Sequence, residues 1–168
     1  MRSYRRQILF NEIQKAANFA GQGNEITRDC IDGVAVRSLE AKVFDLSKLI
    51  LNQNPQGALE LLHILMIQKA EPIDIFGVIL MSFLDVYRVK VAVSGGESML
   101  YPAKIFDYRN KDFRLKNADR YAKSLSMEQI RECFDCFAEG DKALKSTAQN
   151  GELILEKLIV KISLIIAR

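Results

Sequence analysis

The apolar positions of the chain recur at helical spacing from end to end, and the densest run lies between Pro72 and Val93. At about 100° per residue, Asp74, Gly77, Met81, Asp85 and Arg88 fall on one narrow stripe of that segment. Almost all the remaining circumference is apolar: Ile73, Ile75, Phe76, Val78, Ile79, Leu80, Phe83, Val86, Tyr87 and Val89. A helix of this kind is buried on most sides, so other helices must surround it. Its length approaches that of a membrane span, but charges at Asp74, Asp85 and Arg88 would sit at several depths and no positive flank follows. It is expected to be the central helix of a core, with no membrane involved.

The rest of the chain reads as helices around that one. Residues Tyr4 to Phe19 form an amphipathic pattern with Ile8, Leu9, Ile13, Ala16, Ala17 and Phe19 available for packing. The pattern starts abruptly, without a capping residue, as expected of a piece cut from something longer. A loop follows at Gly21-Gln22-Gly23-Asn24, and Thr27 reads as the cap of a short helix through Ile31, ended at Gly33. Val34 to Lys42 reads as a linker, which places a domain boundary between residues 1–42 and 43–168.

From Val43 onward a bundle of five or more helices is expected. A first helix runs to Leu51 and stops at Asn52-Gln53-Asn54; Asn54 then caps the next, with Pro55 at its first position. In that helix Ala58, Leu59, Leu61, Leu62, Leu65 and Met66 face inward, while Ile64 and Ile67 lie opposite, to be covered by a neighbouring helix or a second protein. Pro72 opens the central helix and Ser94-Gly95-Gly96 closes it. Ser98 starts a short helix near Pro102, and Asp112 reads as the cap of another, with Leu115, Ala118, Ala122 and Leu125 on one face. Ser126 and Gln129 form a capping box. The helix it opens carries Met127, Ile130, Phe134, Phe137, Asp141 and Leu144 in one stripe. After a loop from Thr147 to Gly151, Glu152 to Ala167 is helical and apolar over most of its surface. No strand pattern or repeat interrupts this all-α reading.

Composition adds few constraints. A chain of 168 residues with net charge +3 can bury a real core, and the charge is too mild to name a partner. Three cysteines, an odd number, make no disulfide framework and point to the cytoplasm; no signal peptide is apparent. The only histidine, His63, has no ligand companion nearby in sequence. Cys133 and Cys136 have the redox spacing, but inside an amphipathic helix with no strand before it. No Gly-rich loop ends in Lys-Ser or Lys-Thr, so no phosphate cradle is present in the sequence. No catalytic residue, cofactor or metal is expected.

Two features carry candidate chemistry. Arg109, Lys111, Arg114, Lys116, Arg120 and Lys123, with Tyr108, Phe113 and Tyr121 among them, combine cations and stacking groups suited to nucleic acid. The same pattern, diluted by Asp112 and Asp119, also describes a solvated helix face. Asp141 places a carboxylate in an apolar stripe, where it needs a partner; Lys145 one turn on would make a structural ion pair, and a polar contact across a subunit joint is the other reading.

Several segments in order resemble a known family. They are Leu9-Phe10-Asn11-Glu12-Ile13-Gln14-Lys15, Glu25-Ile26-Thr27-Arg28-Asp29, Val43-Phe44-Asp45-Leu46, Ala58-Leu59-Glu60-Leu61-Leu62, the helix after Pro72 with Phe83 and Arg88-Val89-Lys90, and Asp141 to Ser146 followed by Leu155-Glu156. Together they are similar to the C-terminal part of the bacterial DNA polymerase III delta subunit, over essentially the whole chain. The resemblance implies a remnant of a small helical lid up to Lys42 and a helical collar from Val43. It implies a non-catalytic piece of the clamp loader, an AAA+ family machine that places the sliding clamp on primed DNA. Implied partners are the tau/gamma and delta prime loader subunits, with the clamp met only through an N-terminal domain missing here and primed DNA only indirectly. Subunit-interface candidates are Ile64, Ile67, Asp141, Lys145, Leu153 and Glu156. The rival reading is a free-standing nucleic-acid binder using Arg109 to Lys123.

Overall fold

The computed structural model describes residues 10, 13–21, 23–28, 39–109, 111–146 and 150–168. The expected helix start at Tyr4, the end of the short helix after Thr27 and the loop at 147–149 lie outside these residues. The chain divides into two units, the first ending at Ser38 and the second spanning Leu39–Arg168. In the first, residues 13–20 are helical. Of its described apolar side chains only Ala16 is buried; Ile13 and Phe19, expected to pack, are exposed.

The second unit holds seven helices among the described residues: α1 Leu39–Leu51, α2 Pro55–Ile67, α3 Pro72–Ser94, α4 Pro102–Ile105, α5 Asp112–Ser124, α6 Met127–Lys145 and α7 Gly151–Ile166. Local chemistry sets most of their ends. The Asn54 side chain accepts from the Gly57 amide at 3.0 Å, and Pro55 sits where a missing N–H costs nothing. Ser126 accepts from the Gln129 amide at 3.0 Å while the Gln129 carbonyl oxygen accepts from the Ser126 amide at 2.8 Å, completing the capping box. Asn150 caps α7 by accepting from the Glu152 amide. Gly96 follows α3 with φ of +82°, a left-handed turn that side chains with a Cβ resist. Several starts differ from expectation: α4 begins at Pro102, with Ser98 accepting from the Leu100 amide at 3.3 Å in the turn before it, and α7 begins one residue early at Gly151. Helix α1 begins at Leu39, four residues before Val43, so part of the expected linker is helical. Asp112 is the first residue of α5 and makes no cap bond; it contributes its charge to the helix N-terminus instead.

Helix α3 is the hub, packing against α1, α5, α6 and α7. Its Ile75, Ile79, Phe83 and Val89 are fully buried, and Phe83 stacks edge-on against Phe137 of α6 with centroids 5.2 Å apart. Each such side chain stabilises the fold by roughly 1.5–3 kcal/mol through burial. At its N-terminal end α3 meets α7 so closely that a Cβ on Gly151 would lie 2.6 Å from Pro72 Cγ. The expected polar stripe of α3 is split: Asp74 and Met81 are exposed, but Asp85 is buried. Ile73 and Tyr87, expected under cover, are exposed instead, as is Val91. Among the described residues no helix is long and apolar enough to cross a membrane.

Candidate assembly surface and buried charge cluster

Helix α2 buries Ala58, Leu62 and Leu65, so Ile64 and Ile67, opposite them, are left 46% and 68% exposed. Helix α7 packs beside α2. It buries Leu155, Leu158, Ile159 and Ile162 and leaves Leu153, Val160 and Leu164 exposed. A shallow groove lies between the two helices, lined by Leu59, Leu153, Glu156, Lys157, Val160 and Lys161. His63 Nδ1 and Glu152 Oε1, 3.3 Å apart, tie α2 to the first turn of α7. Four of the six interface candidates, Ile64, Ile67, Leu153 and Glu156, thus fall on one packed helix pair. Val160 and Leu164 share the outward side of α7 and extend that set. Their signal in the sequence is the spacing of seven and eleven residues from Leu153.

Asp141 and Lys145 stand apart on α6, where they form an i,i+4 ion pair at 2.7 Å. The carboxylate is not buried as its apolar stripe implied, since its side chain is 41% exposed. At the rotation α6 adopts, Cys133, Phe137 and Gly140 take the inward line.

The basic run does not form one surface. Arg109 is held by Asp107 through Nε at 2.8 Å and Nη2 at 2.7 Å, and this pairing keeps the Asp107 carboxyl at about 2, below the usual carboxylate range. Lys123 pairs with Asp119 one turn back. Arg114 turns inward, against its expected role as a phosphate contact: its Nε donates to Asp85 Oδ2 at 2.8 Å, and Nη2 lies 2.7 Å from the same oxygen. Tyr108 and Tyr121 are buried and offer no free ring for stacking. Lys111, Lys116 and Arg120 remain exposed, as does Phe113.

Asp85 is instead the centre of a cluster that local sequence did not reveal. Besides Arg114, it accepts from the Tyr108 hydroxyl, which in turn accepts from Arg88 Nη1 at 2.9 Å. Arg88 also lies over the Phe106 ring, 3.9 Å from its centroid. Burial, and donation to a carboxylate, push the Tyr108 hydroxyl above its ordinary pKa. The cluster therefore fastens α3, α5 and the segment before α5 to one buried charge.

No group of three or more potential metal ligands occurs among the described residues. His63 is largely exposed. Cys133 is buried and its thiol is pushed up to about 12, chiefly by desolvation, so it carries little of the thiolate that redox chemistry needs.

Comparison with known proteins agrees with the helical architecture. The chain is 29% identical over 154 residues to the DNA polymerase III subunit delta of Bacillus subtilis (strain 168), covering 92% of this chain and 44% of that protein. Among solved structures it is similar to the Bacillus subtilis DNA clamp loader delta protein (YqeN), with a TM-score of 0.73, 29% identity, and coverage of 95% of this chain and 45% of that one. The chain thus spans less than half the length of the relatives it matches. Residues 40–162, nearly the whole of the α1–α7 unit, match the family described as DNA polymerase III delta subunit, C-terminal domain. This chain belongs to that family.

Proposed function

We propose that this chain is the assembly part of a clamp-loader delta subunit, a cytoplasmic, non-catalytic piece whose α1–α7 bundle serves as the collar. The family match over the bundle carries this reading. In it, residues 1–42 are the remnant of a helical lid and 43–168 the collar, with α1 carrying the bundle back to Leu39. The partners are the tau/gamma and delta prime loader subunits, and primed DNA is reached only through the assembled loader. The exposed α2–α7 surface supports the choice of joint. An interface core is apolar and poor in charge, and Ile64, Ile67, Leu153 and Val160 supply such a core with Glu156 and Lys157 as a rim.

The test is Ile67→Glu. With the side chain outside the bundle core, the variant is expected to fold and melt within about 0.5 kcal/mol of the parent. Its co-purification with the loader subunits is expected to fall at least tenfold, because the joint would bury an unpaired carboxylate. A variant that assembles as well as the parent would remove α2 from the joint. A second expectation follows from the absent phosphate loop in the sequence: titration calorimetry with ATP should give no micromolar binding. Measured tight binding would return the chain to the enzymes.

A further inference from the structure

Helices α1 and α5 both pack on α3, and a cleft of about 320 Å³ opens between them with α3 as its floor. Ligand sites commonly measure about 300–1,000 Å³, and roughly 150 Å³ is enough to hold one benzene ring. The cleft therefore has room for two fused rings. Its walls are apolar, with Phe44 and Leu51 from α1 and Phe113 and Ala118 from α5, so each side offers one aromatic ring. Phe113 is exposed and belongs to no part of the bundle core. At one end the Tyr121 hydroxyl donates to Asn52 Oδ1 at 3.0 Å and ties α5 to the turn after α1. The charged side chains of the lining cancel in pairs, Lys48 with Asp45 at 3.0 Å and Arg114 with Asp85 at 2.7 Å. A charged ligand would lose hydration here without gaining a counter-charge. Two polar groups of the lining still have capacity. Ser82, on the floor, donates its proton to the Val78 carbonyl at 3.0 Å, so its oxygen is left as an acceptor. Arg114 is bonded to Asp85 through Nε, and its Nη2 is one of two buried side-chain polar atoms among the described residues without a well-formed hydrogen bond.

We propose that this cleft is a binding site for a small, uncharged, two-ring aromatic lactam. The ligand N–H donates to Ser82 Oγ, its carbonyl oxygen accepts from Arg114 Nη2, and its rings lie against Phe44 and Phe113. A lactam is the fitting class because it places one donor and one acceptor side by side on a flat, neutral ring, matching one free acceptor and one free donor in the site. Aromatic rings are favoured over saturated ones of the same volume by the ring on each wall. Arg114 keeps its Nε bond to Asp85 throughout, so the buried charge cluster is a support for the site and is not opened by it. The cleft shares no residue with the α2–α7 groove, and the proposal stands or falls separately from the loader reading.

Titration of the full, nitrogen-15-labelled chain followed by NMR tests this, since each amide signal reports both binding and fold. The probe 2-quinolone is expected to bind with a Kd of about 0.1–1 mM and to shift the amides of Phe44, Ser82 and Asn117. N-methyl-2-quinolone, which lacks the donor, should bind at least about fivefold more weakly, and quinoline-2-carboxylate, which is charged, at least about tenfold. Ser82→Ala should weaken 2-quinolone by about fivefold and leave the N-methyl compound unchanged, an effect that a general loss of shape would not produce. Phe113→Ala, at an exposed position, should keep the spectrum of a folded chain and weaken both quinolones. The single-stranded octanucleotide (dT)8 carries the lactam edge on one-ring bases and should leave the three amides unmoved. The proposal is overturned by 2-quinolone that shifts none of these amides at 5 mM, or by equal affinity for the N-methyl compound. Parent-like binding in a folded Phe113→Ala also overturns it. Shifts at the same amides with (dT)8 would overturn it too, by assigning the cleft to a base of a nucleic-acid strand.

Discussion

Phe83→Ala is expected to destabilise the Leu39–Arg168 unit by about 3–5 kcal/mol, through lost burial plus the cavity that remains. Phe83 is fully buried on α3. Its ring stacks at 5.2 Å on Phe137, which also meets Phe76 at 5.8 Å and Phe134 at 6.1 Å. The four rings join α3 to α6, so the hole left by one cannot close without moving the others. A loss of this size is a large share of the roughly 5–15 kcal/mol that keeps an ordinary domain folded. Urea denaturation should therefore show a much lower midpoint with an unchanged slope. Phe113→Ala on α5 is the control. That ring is 59% exposed, and its removal should cost no more than about 0.5 kcal/mol. A Phe83→Ala loss well under 1 kcal/mol would put α3 at the surface and undo the architecture.

The features legible in the sequence are those decided within one or two turns of chain. The Asn54-Pro55 start, the Ser126–Gln129 box and the Pro72 start are local hydrogen-bonding and backbone facts, and the fold keeps them. The outward placement of Ile64 and Ile67 follows from period alone once Ala58, Leu62 and Leu65 define the other side. Rotation about a helix axis is harder, because a few tens of degrees are set by whichever neighbours arrive. On α3 that freedom buried Asp85 while Asp74 and Met81 stayed exposed, and it left Ile73, Tyr87 and Val91 exposed beside them. On α6 it brought Cys133 and Gly140 inward and left Asp141 half in water. The basic run misled for a related reason. Arg114 resembles its neighbours in composition, and only a carboxylate 29 residues earlier turns it inward. A long-range ion pair leaves no periodic trace, so neither Asp85 nor Arg114 could be assigned from its own helix.

That ion pair sets the second large effect. Arg114→Met is expected to cost about 3–5 kcal/mol, because it leaves Asp85 buried without its closest counter-charge. Arg88 cannot take over: its Nη1 lies 3.9 Å from Asp85 Oδ1 and is already engaged with the Tyr108 hydroxyl. Tyr108 stabilises the carboxylate by donating to it, but a hydroxyl brings no full charge. The size of the penalty thus reflects an uncompensated charge, not the net worth of the pair. The double variant Asp85→Leu with Arg114→Met separates the two. It removes both charges and is expected to be more stable than Arg114→Met alone, with a coupling energy of about 1–3 kcal/mol between the sites. Binding to the loader subunits is expected to follow stability in this series, since the cluster lies in α3 and α5 and not on the α2–α7 surface. Chemical denaturation of the parent, both single variants and the double closes the cycle. If the two single costs simply add, Asp85 and Arg114 are not energetically joined, and the cluster is only a place where two side chains meet.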